Sequence, residues 1–185
     1  MEQFGEIKSF STAELQIVAQ AVEIAEDVTA NYFKISTSQW KHVRYDIRTL
    51  ADLRFEEIVK GAFAQITRYS RYPISQPRTG RQYDYFKICL QDHNMIAAAE
   101  RDEKLHLLPL AVYVVTHELV HVVRFCKFLQ RFDTGPEERQ KEEARVHAIT
   151  SAALSPLRLS HLDYVLAAYR NYAHMEEFRD LRNPS

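Results

Sequence analysis

Glycine is scarce, with 4 residues in 185. That is too few for a fold made of many tight turns, and with abundant Ala, Leu, Glu and Arg it points to a helix-rich chain. Cysteine is rarer still. Cys89 and Cys126 each lie in an apolar segment and read as two reduced core thiols, not as a disulfide framework. Neither sign of charge is in excess: Lys+Arg 24 against Asp+Glu 25 gives a net charge of −1. A basic footprint for nucleic acid is therefore not expected. The longest apolar stretch, Leu105 to Val115, contains His106 and Pro109 and is too short to span a bilayer. The start, Met-Glu-Gln-Phe-Gly-Glu, lacks the basic and apolar regions of a signal peptide. The expectation is a cytoplasmic protein with no membrane segment and no nucleic-acid partner; composition leaves the oligomeric state open.

What is present is enough hydrophobic residue, 46%, to bury a core. The length suits a single domain over residues 1–185. The one natural division is near residues 70–82, where Tyr72 to Gln82 holds Pro73, Pro77 and Gly80 without periodicity. It reads as a loop between an N-terminal helical part and a C-terminal part.

The pattern of elements predicts a mainly α fold with a small β component (α+β). Ser11-Thr12-Ala13-Glu14 is a capping box, and Leu15, Val18, Val22 and Ala25 mark the apolar face of a helix to about Tyr32. Lys41 to Arg48 alternates as a half-buried strand does. Leu50, Leu53, Ile58, Phe63 and Ile66 predict a helix to about Tyr69, with Gly61 a weak point. Tyr83 to Leu90 predicts a strand, Gln91 to Asn94 a turn, and Met95 to Ala99 either a second strand or a helix. An apolar helix opens at Pro109 and runs to about Gln130. Asp133 to Glu137 breaks the chain, a helix follows to about Leu154, and a last amphipathic helix covers Ser160 to Leu181.

Chemistry concentrates in the Pro109 helix. From Leu110 to Val123 nearly every residue is apolar, as in a helix from the middle of a core. The polar members are Tyr113, Thr116, His117, Glu118 and His121. His117 and His121 are one helical turn apart and project from the same side, with Glu118 beside them. Two imidazoles and a carboxylate are costly in an apolar interior unless a cation neutralises them or a polar cleft solvates them. The next helix, returning after the Asp133 to Pro136 turn, offers Glu137, Glu138, Glu142, Glu143 and His147 as further donors.

His117-Glu118-Leu119-Val120-His121 is the His-Glu-x-x-His pattern, and in this respect the chain resembles the zincin metallopeptidases, in their gluzincin subgroup. The similarity covers mainly Tyr113 to Ala153. It implies a zincin-like active helix packed on a second ligand-bearing helix, zinc as cofactor, and a peptide or protein as substrate. His117 and His121 are then metal ligands and Glu118 the general base that activates a metal-bound water against a peptide carbonyl. The implied third ligand is Glu143, with Glu142 the fallback. Relatives often carry an acidic residue four places after the ligand glutamate; here that place is His147, a candidate ligand or oxyanion donor. The resemblance also casts Tyr83 to Leu90 as a sheet edge where substrate pairs.

Two other readings have their own residues. A non-catalytic metal-binding or regulatory module would keep the donors without turnover. A di-iron helical bundle would use Glu118 and His121 with a second Glu-x-x-His pair, Glu103 and His106. His42, His93, His161 and His174 read as surface or packing histidines. Tyr164, Tyr169 and Tyr172 read as a packing stripe, and Arg68, Arg71, Arg78 and Arg81, interleaved with Tyr69, Tyr72 and Tyr83, as a solvated segment.

Overall fold

The computed structural model describes residues 7–71, 83–129, 131–169 and 179–180. The elements run α1 (Thr12–Phe33), α2 (Thr37–Trp40), β1 (Tyr45–Arg48), β2 (Ala64–Arg71), β3 (Tyr83–Leu90), α3 (Asp92–Arg101), α4 (Leu107–Cys126), α5 (Pro136–Leu154), α6 (Leu162–Tyr169) and β4 (Arg179–Asp180). The fold is mainly α with a small sheet, the α+β class expected from the sequence. The Tyr72 to Gln82 loop expectation lies outside the described residues.

Helix α1 begins as the capping box requires: the Glu14 amide donates to Ser11 Oγ at 3.3 Å and the Ser11 amide to Glu14 Oε2 at 2.7 Å. Its buried face is Val18, Ala21, Ala25 and Thr29, a rotation from the face expected, since Leu15 is exposed. The small side chains of Ala21 and Ala25 let α1 approach α4 closely, and α4 is its main packing partner. Helix α4 is the centre of the molecule, with every residue from Pro109 to Phe125 buried. Among the described residues it alone is long and apolar enough to cross a membrane, but it lies inside the protein, as a core helix does. It stops before Gln130. The Leu129 amide donates to the Arg124 carbonyl at 2.9 Å and the Phe128 amide to Phe125 at 3.1 Å. Those two bonds make a Schellman motif in which Phe128 takes the left-handed conformation (φ 56°) that glycine usually supplies.

The sheet order is β1-β3-β2-β4. Strands β2 and β3 are antiparallel, with Ile66 opposite Ile88; β1 runs parallel to β3, and β4 pairs with β2 at Thr67 and Arg68. Chain on both sides of residues 72–82 thus shares one sheet, and the core extends from Phe10 to Val165. Cys89 is fully buried in β3, where loss of solvent pushes its thiol up to about 12. Cys126 is exposed at the end of α4, so only one of the two cysteines belongs to the core.

The helix expected from Leu50 to Tyr69 does not form. Two 3₁₀ turns (Leu50–Asp52 and Phe55–Glu57) lead instead into β2. Side chains from residues 91–94 satisfy the backbone there. Asp92 accepts from the Leu50 amide at 2.9 Å, and also from Phe10 at 3.0 Å. Gln91 accepts from Val59 and donates to Glu57, both at 2.9 Å, while Asn94 donates to the Val59 and Ala62 carbonyls. Such bonds compete with a helical ladder, and Gly61 at φ 84° completes the break. Of the two alternatives for Met95 to Ala99, the helix forms, as α3. The last helix does not reach Leu181: α6 is described over Leu162–Tyr169, and Arg179 and Asp180 are committed to strand pairing.

Candidate metal centre

Helix α4 carries its polar residues into the interior. His117 and His121 lie one turn apart with ring centroids 4.9 Å apart, and their Nε2 atoms approach to 3.2 Å. Helix α5 starts at Pro136, in a position where its missing N–H costs nothing, and packs on α4. From it Glu143 sends Oε1 to 3.0 Å from His121 Nε2 and Oε2 to 3.3 Å from His117 Nε2. All three side chains are at most 5% exposed. A tetrahedral centre with arms of about 2.0–2.1 Å has donor-to-donor edges of about 3.3 Å. The contacts here, 3.2 Å between the two nitrogens and 3.0 and 3.3 Å from them to the two different oxygens of Glu143, are of that order. In so dry a site the carboxylate and imidazoles need either shared protons or a cation between them. The donor set, two imidazole nitrogens and a carboxylate, is one that zinc accepts.

Glu142, the fallback ligand, points elsewhere. Its Oε1 accepts from Arg124 Nε at 2.5 Å and its Oε2 from Arg145 at 2.6 Å, with Arg124 itself 8% exposed in side chain. Glu142 is thereby the counter-ion of a buried guanidinium, while the next residue in sequence turns to the histidines.

His147, one turn beyond Glu143, also reaches the centre. Its ring lies 4.5 Å from that of His117, and donor atoms of His117, Glu143 and His147 fall within 4.8 Å of one another. Its Nδ1 is 2.6 Å from the Tyr113 hydroxyl. Glu118 is buried beside this cluster and lines a small pocket with Ala62, Phe63, Tyr113, Val114, His117, His147 and Tyr169. The pocket volume is about 30 Å³, room for about two water molecules.

Tyr113, Phe63 and Tyr169 were not expected at the site. Tyr113 carried a usable signal, since it lies four residues before His117 and so on the same helix face. Phe63 carried none, because its segment read as a helix; it meets Tyr169 edge-to-face at 5.5 Å.

The remaining candidates lie apart from these donors. Glu103 sits exposed in a turn and His106 is exposed ahead of α4, so the second Glu-x-x-His pair of a di-iron bundle is not carried on a helix. His106 stacks on His161 at 3.9 Å, and Tyr164 donates to Asp102. His42 is exposed, and His93 is half-buried in α3 with its pKa lowered by burial. Arg68 is buried, not solvated: it pairs with Asp133 at 3.0 Å and lies over the Phe132 ring. Tyr69 packs on Tyr85. Tyr72, Arg78, Arg81, Tyr172 and His174 are outside the described residues, and the Arg71 and Tyr83 side chains are likewise not described. Strand β3, cast as a substrate edge, is paired with β2 along its whole length on one side and with β1 over Phe86 to Cys89 on the other. Ala62 and Phe63, which precede β2, line the pocket. No protein-family model, curated protein or solved structure matches the chain.

Proposed function

We propose that the chain is a zinc-dependent peptidase or peptidase-like hydrolase, with His117, His121 and Glu143 as metal ligands and Glu118 as general base. The observation that carries this reading is the convergence of three buried side chains from two helices, with their nitrogen and oxygen atoms 3.0–3.3 Å apart. Zinc in such a site is a Lewis acid that lowers the pKa of water and polarises a carbonyl. Glu118 supports the role of proton carrier by its position. It is not one of the three converging donors, yet it lines the adjoining pocket with His117. Its carboxylate takes a proton from attacking water and returns it to the leaving amine. The Tyr113 hydroxyl bonds to His147 Nδ1; in the tautomer where the hydroxyl is the donor, the ring carries its proton on Nε2 and can donate to a developing oxyanion.

One observation favours a second reading. If His147 acts as a fourth donor with His117 and Glu143, the coordination sphere closes, and a closed sphere is structural, not catalytic. The test is metal content and turnover together. Protein purified without added zinc is expected to hold one zinc per chain and to cleave members of a peptide library. Glu118→Gln should keep the zinc and lose activity by about 10²–10⁴-fold. Zinc without turnover in the wild type supports the closed site, and absence of zinc removes both readings.

A further inference from the structure

A groove of about 610 Å³ adjoins the pocket that holds Glu118. The two share a wall, the Phe63 and Tyr169 pair. The groove's other lining residues are Gly61, Asn94, Ala97, Arg101 and Ala168, so among the described residues Arg101 is its one charged member. Arg101 ends α3 and spends its Nε on the Ala97 carbonyl of its own helix at 3.2 Å, which leaves the fork of terminal N–H groups for another partner. Among the described residues it makes no ion pair, and the nearest acids in sequence are engaged elsewhere. Glu100 is bound by Lys8 at 2.6 Å. Asp102 accepts from Tyr164 at 2.5 Å and from the Lys104 amide at 3.0 Å. The floor is firm, because Asn94 Nδ2 is bonded to the carbonyls of Val59 and Ala62, and Gly61 presents open space. A guanidinium fork in an aromatic-walled groove with no other charged group among the described residues matches the planar geometry of a carboxylate.

We infer that Arg101 anchors a carboxylate of the substrate, so that the hydrolase proposed above acts on peptides bearing an anionic group on the far side of the Phe63–Tyr169 wall from Glu118. This rests on the hydrolase reading for the word substrate, but the groove is testable without turnover. The probes are peptide pairs of two kinds, free acid against C-terminal amide, and internal Glu against Gln. Binding is measured by fluorescence anisotropy to zinc-loaded Glu118→Gln protein and to metal-free wild type, and kcat/KM on the zinc-loaded wild type. One kind of pair is expected to show about tenfold preference for its anionic member. Preference in the first kind identifies a chain terminus, preference in the second an acidic side chain. Arg101→Gln should bring the ratio to about one, and Arg101→Lys should restore part of it. Equal binding of both members, no binding of either, or a preference that survives Arg101→Gln overturns the inference. Discriminating binding without cleavage by the wild type sinks the hydrolase reading and leaves the groove. Cleavage without discrimination does the reverse.

Discussion

Glu142 and Glu143 are chemically identical neighbours that face different partners, Arg124 and Arg145 for one and the two histidines for the other, and the proposed zinc site gives them opposite duties that substitution separates. In Glu142→Gln, Arg124 keeps an amide oxygen to bond but loses its counter-ion. Both partners are nearly inaccessible, with side-chain exposures of 8% and 6%. Removing one member of a buried pair costs about 3–5 kcal/mol, and the retained acceptor places this variant near 3 kcal/mol. The Arg145 contact adds little, since that side chain is 56% exposed. With a urea slope of about 2 kcal/mol per molar, the midpoint should fall by about 1.5 M while zinc stays bound at one per chain. In Glu143→Gln a weakly coordinating amide replaces a ligand, so zinc affinity should fall by more than about 100-fold with little change in the metal-free urea midpoint. Urea unfolding followed by circular dichroism, paired with metal analysis, reads both quantities. A Glu142→Gln protein that loses zinc, or one less than about 1 kcal/mol below wild type, would refute the assignment.

Two further outcomes follow from local physics. Phe128 holds the left-handed position that ends α4 while 93% exposed. Phe128→Gly should therefore raise stability by about 1 kcal/mol, relief of a ~1–2 kcal/mol conformational cost less the greater chain entropy of glycine. That corresponds to a Tm increase of about 2–4 °C in calorimetry. Phe128→Ala keeps a Cβ and should gain much less; an equal gain contradicts the argument. Glu57 is buried, which raises its pKa, but Lys87 at 2.7 Å and the Arg54 backbone and side chain more than offset this and hold it below the ordinary 4.5. The unfolded chain therefore takes up this proton first as pH falls. The stability advantage of wild type over Glu57→Gln should be complete above about pH 5 and lost as pH drops through the lowered folded value. Urea midpoints measured from pH 6 to pH 3 check this, and an advantage that grows on acidification contradicts it.

The features legible in the sequence are those whose cause is local. Helix α4 announces itself by being apolar all round, and its exceptions, His117 and His121, recur at helical spacing, so their shared direction needed no coordinates. The α1 start was written in Ser11 and Glu14, and the α5 start in Pro136. What was not legible depends on partners distant in the chain. The stretch from Leu50 to Ala62 has a helical pattern, yet its amides and carbonyls are claimed by Gln91, Asp92 and Asn94. The buried face of α1 is set by how closely Ala21 and Ala25 let it approach α4. The choice between Glu142 and Glu143 was half visible: Arg145 stands three residues past Glu142, but Arg124 is on another helix. Phe63, just before β2, and Tyr169, on α6, reach the site only because both segments come together beside α4.

The most direct measurement is X-ray absorption at the zinc edge on protein as purified, repeated on His121→Ala and His147→Ala. The account predicts one zinc per chain with imidazole nitrogen and carboxylate oxygen at about 2.0–2.2 Å. The signal should be lost or altered in His121→Ala and unchanged in His147→Ala. A spectrum that is insensitive to His121 but changes with His147, or protein with no bound zinc at all, would contradict it.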